Sequence, residues 1–252
     1  MMKKNPKEVS YMHYVISDIH GNTRRLESIL EQINLQPEDT LYVLGDVVDR
    51  HSDGIVMLLR LMDMPNVKMI LGNHEFMMLR ALGFPYDGEE RTEEIAEKAW
   101  EHWYRNGGQV TFEQWSQQSK EDQDRIIKYL HSLPAEIDLQ INGQAYKLAH
   151  AAPPELYDGD PKYRHATYFS IWKRYTPEDI LPIDYTLIFG HTPTRYFDDT
   201  APMQIWQGQN RICIDCGSGY PDDPEEPKSK YGRLACLRLD DGKVFYSAEI
   251  HQ

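Results

Sequence analysis

Cysteine is scarce in this chain: Cys213, Cys216 and Cys236 are an odd set, too few for a disulfide scaffold, which points to a reducing compartment. No apolar run approaches the ~20 residues that cross a bilayer. The opening Met1-Met2-Lys3-Lys4-Asn5-Pro6 leads into no apolar signal core. The expectation is a soluble, unexported, cytoplasmic protein with no membrane partner. Positive charge is also short, with 27 Lys and Arg against 40 Asp and Glu and a formal net charge of -13. Duplex nucleic acid is therefore excluded as a partner, because such binding rests on many Lys and Arg contacts to phosphate. A small phosphorylated substrate is not excluded, since bound cations and one or two arginines can dominate a site whatever the net charge. Low-complexity tracts and internal sequence repeats are absent as well.

What is present is a globular composition, 40% hydrophobic over 252 residues, enough for a sizeable core. We expect a single domain over 1–252 with a helical cap inserted at about 84–133. Residues 12–17 form an apolar run ending in Asp18-Ile19-His20-Gly21-Asn22. Leu26, Ile29, Leu30 and Ile33 then recur at helical spacing, with Asn22 or Thr23 placed to cap the helix. The unit repeats with 40–44 as strand, Gly45-Asp46-Val47-Val48-Asp49-Arg50 as loop and a helix over 55–61. A third copy takes 67–71 as strand, Gly72-Asn73-His74-Glu75 as loop and 76–82 as helix. Three such units predict a parallel sheet with right-handed crossovers, so the polar loops should leave the same sheet edge. Asp18, His20, Asp46, Asp49, Arg50, Asn73 and His74 would then converge.

In the cap segment, Trp100, Trp103 and Trp115 are expected to serve its own packing. Residues 137–141 and 145–149 read as a hairpin around Asn142-Gly143, a pair suited to a type I′ turn, and the second strand runs into His150. An irregular stretch carrying Trp172-Lys173-Arg174 follows, then a strand over 185–189 ending at Gly190-His191-Thr192-Pro193. Residues 211–214, 234–239 and 244–248 read as a second, antiparallel set of strands. The Pro-rich acidic run within 217–230 reads as a mobile surface loop. The architecture expected is α/β, with two facing sheets flanked by helices.

Imidazoles and carboxylates are ligands for divalent Mn, Fe or Zn, and two ions held close together need an anionic bridge. Asp46, on the central strand of the three, is the natural bridge. Asp18 and His20 lie two apart, so in an extended chain they share a side and chelate one ion. Asn73, His150 and His191 each sit at a strand end, where they could complete the second site.

Taken in order, Asp18-x-His20, Gly45-Asp46-x-x-Asp49-Arg50, Gly72-Asn73-His74-Glu75, His150 after an apolar strand and Gly190-His191 resemble the motif set of the calcineurin-like metallophosphoesterases. Within these the chain is most similar to the bacterial branch of the serine/threonine phosphoprotein phosphatases, from residue 14 to about 250. The resemblance implies a four-layer sandwich of two central mixed β-sheets flanked by helices. It implies two divalent transition-metal ions, manganese first, with iron or zinc as alternatives. Asp18, His20 and Asp46 would hold one ion, and Asp46, Asn73, His150 and His191 the other. His74 would protonate the leaving oxygen with Asp49 orienting it, while Arg50 and, through its Trp-x-Arg pattern, Arg174 would clamp the phosphoryl group. The implied reaction is hydrolysis of phosphoserine or phosphothreonine in a protein or peptide by a metal-bridged hydroxide.

The alternatives are symmetrical dinucleoside tetraphosphate hydrolysis on the same dinuclear site, with a nucleotide as substrate, and a catalytically inactive binding scaffold. Pro193 stands where phosphodiesterase branches carry a second His, which favours a phosphatase. His51-Ser52 replaces the Gly-Pro of many members, and His51 is expected to be solvated. Trp103-x-x-Asn106-Gly107-Gly108-x-x-Thr111 is similar to a cap segment of both bacterial protein phosphatases and dinucleoside tetraphosphatases, and Tyr220 is a candidate aromatic over the site. Cys213-x-x-Cys216 lacks the further ligands of a zinc site and reads as ordinary strand residues.

Overall fold

A computed structural model describes residues 11–86, 90, 92–199, 203–221 and 232–248. In chain order the first half comprises His13–Ile16 (β1), Thr23–Ile33 (α1), Thr40–Val43 (β2), Gly54–Asp63 (α2), Val67–Met69 (β3), Asn73–Leu82 (α3), Glu93–Arg105 (α4), Gln109–Trp115 (α5) and Lys120–Ser132 (α6). The second comprises Glu136–Ile141 (β4), Gln144–Ala149 (β5), Ala166–Trp172 (α7), Thr186–Phe189 (β6), Trp206–Gly208 (β7), Arg211–Cys213 (β8), Ala235–Arg238 (β9) and Val244–Tyr246 (β10).

The three strand-loop-helix units form as the periodicity predicts. Strands β1, β2 and β3 pair in parallel, with Tyr14 opposite Leu41 and Leu41 opposite Val67. Alternation along β1 sends Tyr14 and Ile16 to the core under the helices and Val15 to the core between the sheets. Asn22 caps α1 by accepting the Arg25 N–H, and Leu26, Ile29 and Ile33 are the face it buries. Helix α3 begins earlier than predicted, so Asn73 and His74 occupy its first turn rather than a loop. The cause is Glu75, which as the third helical residue reaches back to the Gly72 N–H and closes the helix N-terminus.

Two strand assignments change. The hairpin of β9 and β10 belongs to the first sheet, whose order is β10-β9-β1-β2-β3, with β9 antiparallel to β1. Without it the free edge of β1 would leave a row of backbone groups unpaired. Strand β8 lies parallel to β6 in the second sheet, ordered β4-β5-β6-β8-β7, and not in an antiparallel set. Strand β7 and helix α7 carried too short a periodic signal to be predicted. The Asn142-Gly143 turn forms with both residues at positive φ, 50° and 81°, as a type I′ turn requires.

The layers are helices, sheet, sheet, helix. Val15, Tyr42, Leu44 and Ile70 meet Leu148, Ile188 and Ile214 between the sheets. Helix α7 covers the outer face of the second sheet, Phe169 joining Ala149, Leu187 and Phe189. Trp103, Trp115, Ile126 and Leu130 of the cap helices share one core with α1, α2 and α3. Trp100, by contrast, packs within its own segment against Tyr104 and Phe112. Cys213, Cys216 and Cys236 are buried free thiols. No helix among the described residues is long and apolar enough to cross a membrane. Residues 222–230 of the acidic run lie outside the described residues.

Candidate functional site

The polar loops after β1 and β2, the first turn of α3 and the ends of β5, β6 and β8 meet at one edge of the two sheets. Backbone bonds lock the first two together: Asp18 N to Gly45 O at 3.2 Å, His20 N to Asp46 O at 2.9 Å and Gly21 N to Val47 O at 2.7 Å. The expectation that Asp18 and His20 share a side of an extended chain is corrected, since both take left-handed conformations with φ 54° and 53°. Asp46, Asp49, Arg50 and His191 also have positive φ, between 54° and 73°. Each such non-glycine residue costs about 1 kcal/mol or more, a strain that clusters where geometry must be over-determined. Glu75, fully buried, supplies part of the hold: its carboxylate accepts the N–H groups of Asp46 and Val47, both at 2.8 Å. Gly72 permits the contact, because a Cβ there would lie 2.3 Å from Asp46 Oδ1.

Two groups of side chains then share Asp46. His20, Asp46 and His74 form one, and Asp46, His150 and His191 the other, each with its ligand atoms within 4.8 Å of one another. Asp46 Oδ2 lies 3.8 Å from His20 Nε2, 3.8 Å from His74 Nε2 and 3.5 Å from His150 Nε2. His20 Nδ1 donates to Val48 O and His150 Nδ1 to Leu44 O, so each ring is oriented with its Nε2 turned inward. His150 Nε2 faces two oxygens, Asn73 Oδ1 at 2.8 Å and Asp46 Oδ2 at 3.5 Å. His191 Nδ1 is 2.8 Å from the same Asn73 oxygen. His20 Nε2 and His191 Nε2 are buried without a hydrogen-bond partner.

Asp18 stands outside both groups; its Oδ2 accepts the Ser17 hydroxyl and the His191 N–H. Burial, with Asp215 nearby, raises the Asp18 carboxyl well above the usual range, and burial with Glu75 does the same to Asp46. Burial, then Arg50, holds His20 well below its usual value, while burial and His150 do so for His191. Neutral imidazoles beside crowded carboxylates suit a bound divalent ion, which relieves the repulsion.

His74 points its Nδ1–H at Asp49 Oδ2, 2.6 Å away, and its Nε2 at Arg50 Nη2, 3.3 Å away. The pair is fastened from the cap, which sequence reasoning had limited to packing. Trp103 Nε1 donates to both Asp49 carboxylate oxygens at 3.0 and 2.9 Å, Asp49 N donates to Thr111 Oγ1 at 2.9 Å, and Arg50 N donates to Gly107 O at 3.1 Å. Burial pushes the Asp49 carboxyl up to about 7, against the pull of Thr111, Trp103 and Arg50. Trp103→Phe, which keeps an aromatic ring and removes the donor, is expected to lower the unfolding free energy by about 2 kcal/mol. Urea unfolding measures it, and an unchanged midpoint would remove the indole from this network.

Arg50 and Arg174 line a cleft of about 620 Å³ with His51, Arg105, Asn106, His191, Tyr196, Asp215 and Tyr220. His51, partly exposed in the cleft wall, donates its Nε2–H to Tyr220 O at 3.2 Å. Asp215 was missed. It lies two residues past β8, near a strand end as His150 is, yet falls inside the Cys213-x-x-Cys216 pattern, which reads as ordinary strand residues.

A family model for calcineurin-like phosphoesterases matches residues 14–215. The serine/threonine-protein phosphatase 2 of Salmonella typhimurium is 29% identical over 82% of this chain and 88% of its own length. That of Escherichia coli is 32% identical over 57% of this chain, which spans 60% of that protein. A symmetrical bis(5'-nucleosyl)-tetraphosphatase of Paracidovorax citrulli is 24% identical over 77% of this chain and 62% of its own. A solved protein serine/threonine phosphatase from Saccharomyces cerevisiae shares the fold, with a TM-score of 0.56 over 98% of this chain and 83% of its own at 13% identity.

Proposed function

Because the chain belongs to the calcineurin-like phosphoesterases, we propose that this hydrolase is a metal-dependent phosphoprotein phosphatase acting on phosphoserine and phosphothreonine monoesters. One observation carries the metal-dependent reading: Asp46, a buried carboxylate, is shared by two buried groups of side chains, with His20 and His74 in one and His150 and His191 in the other. In this reading Asp18, His20 and Asp46 would hold one divalent ion, manganese before iron or zinc, and Asp46, Asn73, His150 and His191 the other, with Asp18 reaching the first ion from beside the gathered side chains. Bound there, the ions would supply positive charge against the phosphoryl oxygens and acidify the attacking water.

The remaining work falls to side chains. Arg50 and Arg174 offer planar guanidinium forks that match phosphoryl oxygens. In the free site, the contact of Arg50 Nη2 with His74 Nε2 keeps that imidazole neutral, and burial and Arg50 hold it well below its usual value. A phosphoryl group that engages Arg50 neutralises this neighbour, and Asp49 at Nδ1 then favours a ring that takes up a second proton, at Nε2, from solvent. His74 Nε2–H donates its proton to the departing serine or threonine oxygen, which as an alkoxide leaves poorly without it.

The second reading, dinucleoside tetraphosphate hydrolysis, is favoured by the tetraphosphatase relative and by a cleft roomy enough for more than one phosphoryl group. Manganese-reconstituted protein assayed on a phosphothreonine peptide and on diadenosine tetraphosphate decides between them. A clear preference for the peptide in kcat/KM, abolished by a chelator, is expected. Preference for the dinucleotide would transfer the function to nucleotide turnover, and chelator-insensitive activity would reject the dinuclear assignment.

A further inference from the structure

Three arginines gather in the cleft, and only one of them lacks a carboxylate nearby among the described residues. The chain has a formal net charge of -13, and several arginines elsewhere are held by carboxylates: Arg60 by Glu27, Arg125 by Asp63 and Arg238 by Asp241. The cleft instead gathers Arg50, Arg105 and Arg174. Arg50 faces His74, and Arg50 and Arg174 both act electrostatically on the buried Asp215. Arg105 has no carboxylate partner among the described residues.

Its place is well defined. Arg105 ends α4, two residues before Gly107, whose carbonyl holds the Arg50 N–H at 3.1 Å, and the intervening Asn106 bonds back to His102 O at 2.8 Å. The proposed phosphoryl clamp and Arg105 are therefore fixed to one short stretch of backbone. A cation at a helix C-terminus is favoured by the dipole, but that alone does not require it to line the cleft. At about 620 Å³ the cleft has the size of a site for a whole small ligand, beyond what one phosphoryl group fills. Its aromatic rings, Tyr196 and Tyr220, form no stacked pair among the described residues. Beyond the phosphoryl position it offers charge rather than a slot for a base.

We propose that Arg105 forms a second anion subsite, which binds a carboxylate beside the phosphoresidue and so selects phosphopeptides with acidic flanks. The proposal rests on the phosphoprotein reading and deepens it. A guanidinium fork fits a carboxylate as it fits a phosphate, and because Arg105 is exposed the expected discrimination is modest, about fivefold.

The test uses the manganese-loaded chain and two phosphothreonine peptides that differ only in Glu or Ala on either side of the phosphoresidue, with p-nitrophenyl phosphate alongside. The wild type should favour the Glu peptide in kcat/KM by about fivefold. Arg105→Ala should bring the ratio near one, and Arg105→Glu should reverse it. A wild type indifferent to the flanks, or a preference that survives in Arg105→Glu, overturns the subsite. Hydrolysis of p-nitrophenyl phosphate with neither peptide turned over would instead defeat the phosphoprotein reading. The subsite is then judged by diadenosine tetraphosphate competing against p-nitrophenyl phosphate. A Ki raised about fivefold in Arg105→Ala retains the subsite with a second phosphate as its ligand, and an unchanged Ki rejects it.

Discussion

Asp46→Asn is expected to remove the paired metal ions and to lower kcat/KM by about 10³-fold or more, roughly 4 kcal/mol of transition-state stabilisation. The carboxylate is the one group common to both clusters, and its Oδ2 faces His20, His74 and His150. An amide turns one acceptor into a donor and deletes the negative charge a pair of cations needs between them. The fold should survive. Asn keeps an oxygen for the His74 N–H, which Asp46 Oδ1 now accepts at 2.9 Å. It also lifts a desolvation cost, since burial already drives this carboxyl well above its usual pKa. Metal analysis, turnover and thermal unfolding of the metal-free protein should be measured together. Two retained ions with wild-type turnover would sink the assignment of Asp46, while loss of metal together with loss of fold would make the effect structural.

His74→Asn separates acid catalysis from metal binding. As the proton donor, His74 is expected to matter by about 10²- to 10⁴-fold for a phosphothreonine ester, whose alkoxide needs a proton, and far less for an activated aryl phosphate. Metal content should be unchanged. The structure sharpens the test, because His74 Nε2 also lies 3.8 Å from Asp46 Oδ2, within the first group of side chains able to hold an ion. Equal losses on both substrates accompanied by loss of metal would reassign His74 from acid to ligand. A split by leaving group would support the roles proposed for Asp49, which fixes Nδ1, and for Trp103, which fixes Asp49.

Much of this site was legible before any coordinates. Short apolar runs each followed by Asp, His or Asn at a break in periodicity place chemistry at strand ends, and parallel crossovers bring the ends to one edge. That logic reached His150 and His191, more than 100 positions from Asp46. It failed where a signal had a second explanation, as for Asp215 between two cysteines. It failed again where the signal was a bare tryptophan: nothing in the spacing of Trp103 says that its N–H, rather than its ring, is the useful part. Glu75 was visible as part of a motif but not as the acceptor that holds the Asp46 loop in a strained conformation.

The sequence by itself determined the three strand-loop-helix units, the type I′ turn at Asn142-Gly143 and the strand-end residues His150 and His191, because periodicity, turn chemistry and capping act over a few neighbouring residues. Only the tertiary structure decided that β9 closes the edge of β1, that β8 runs parallel to β6, that Asp18 and His20 turn through left-handed backbone, and that the cap grips Asp49 and Arg50. Each of these depends on which distant backbone edge or buried donor remains to be satisfied once the local elements meet, and alternation along one strand carries no record of its partner.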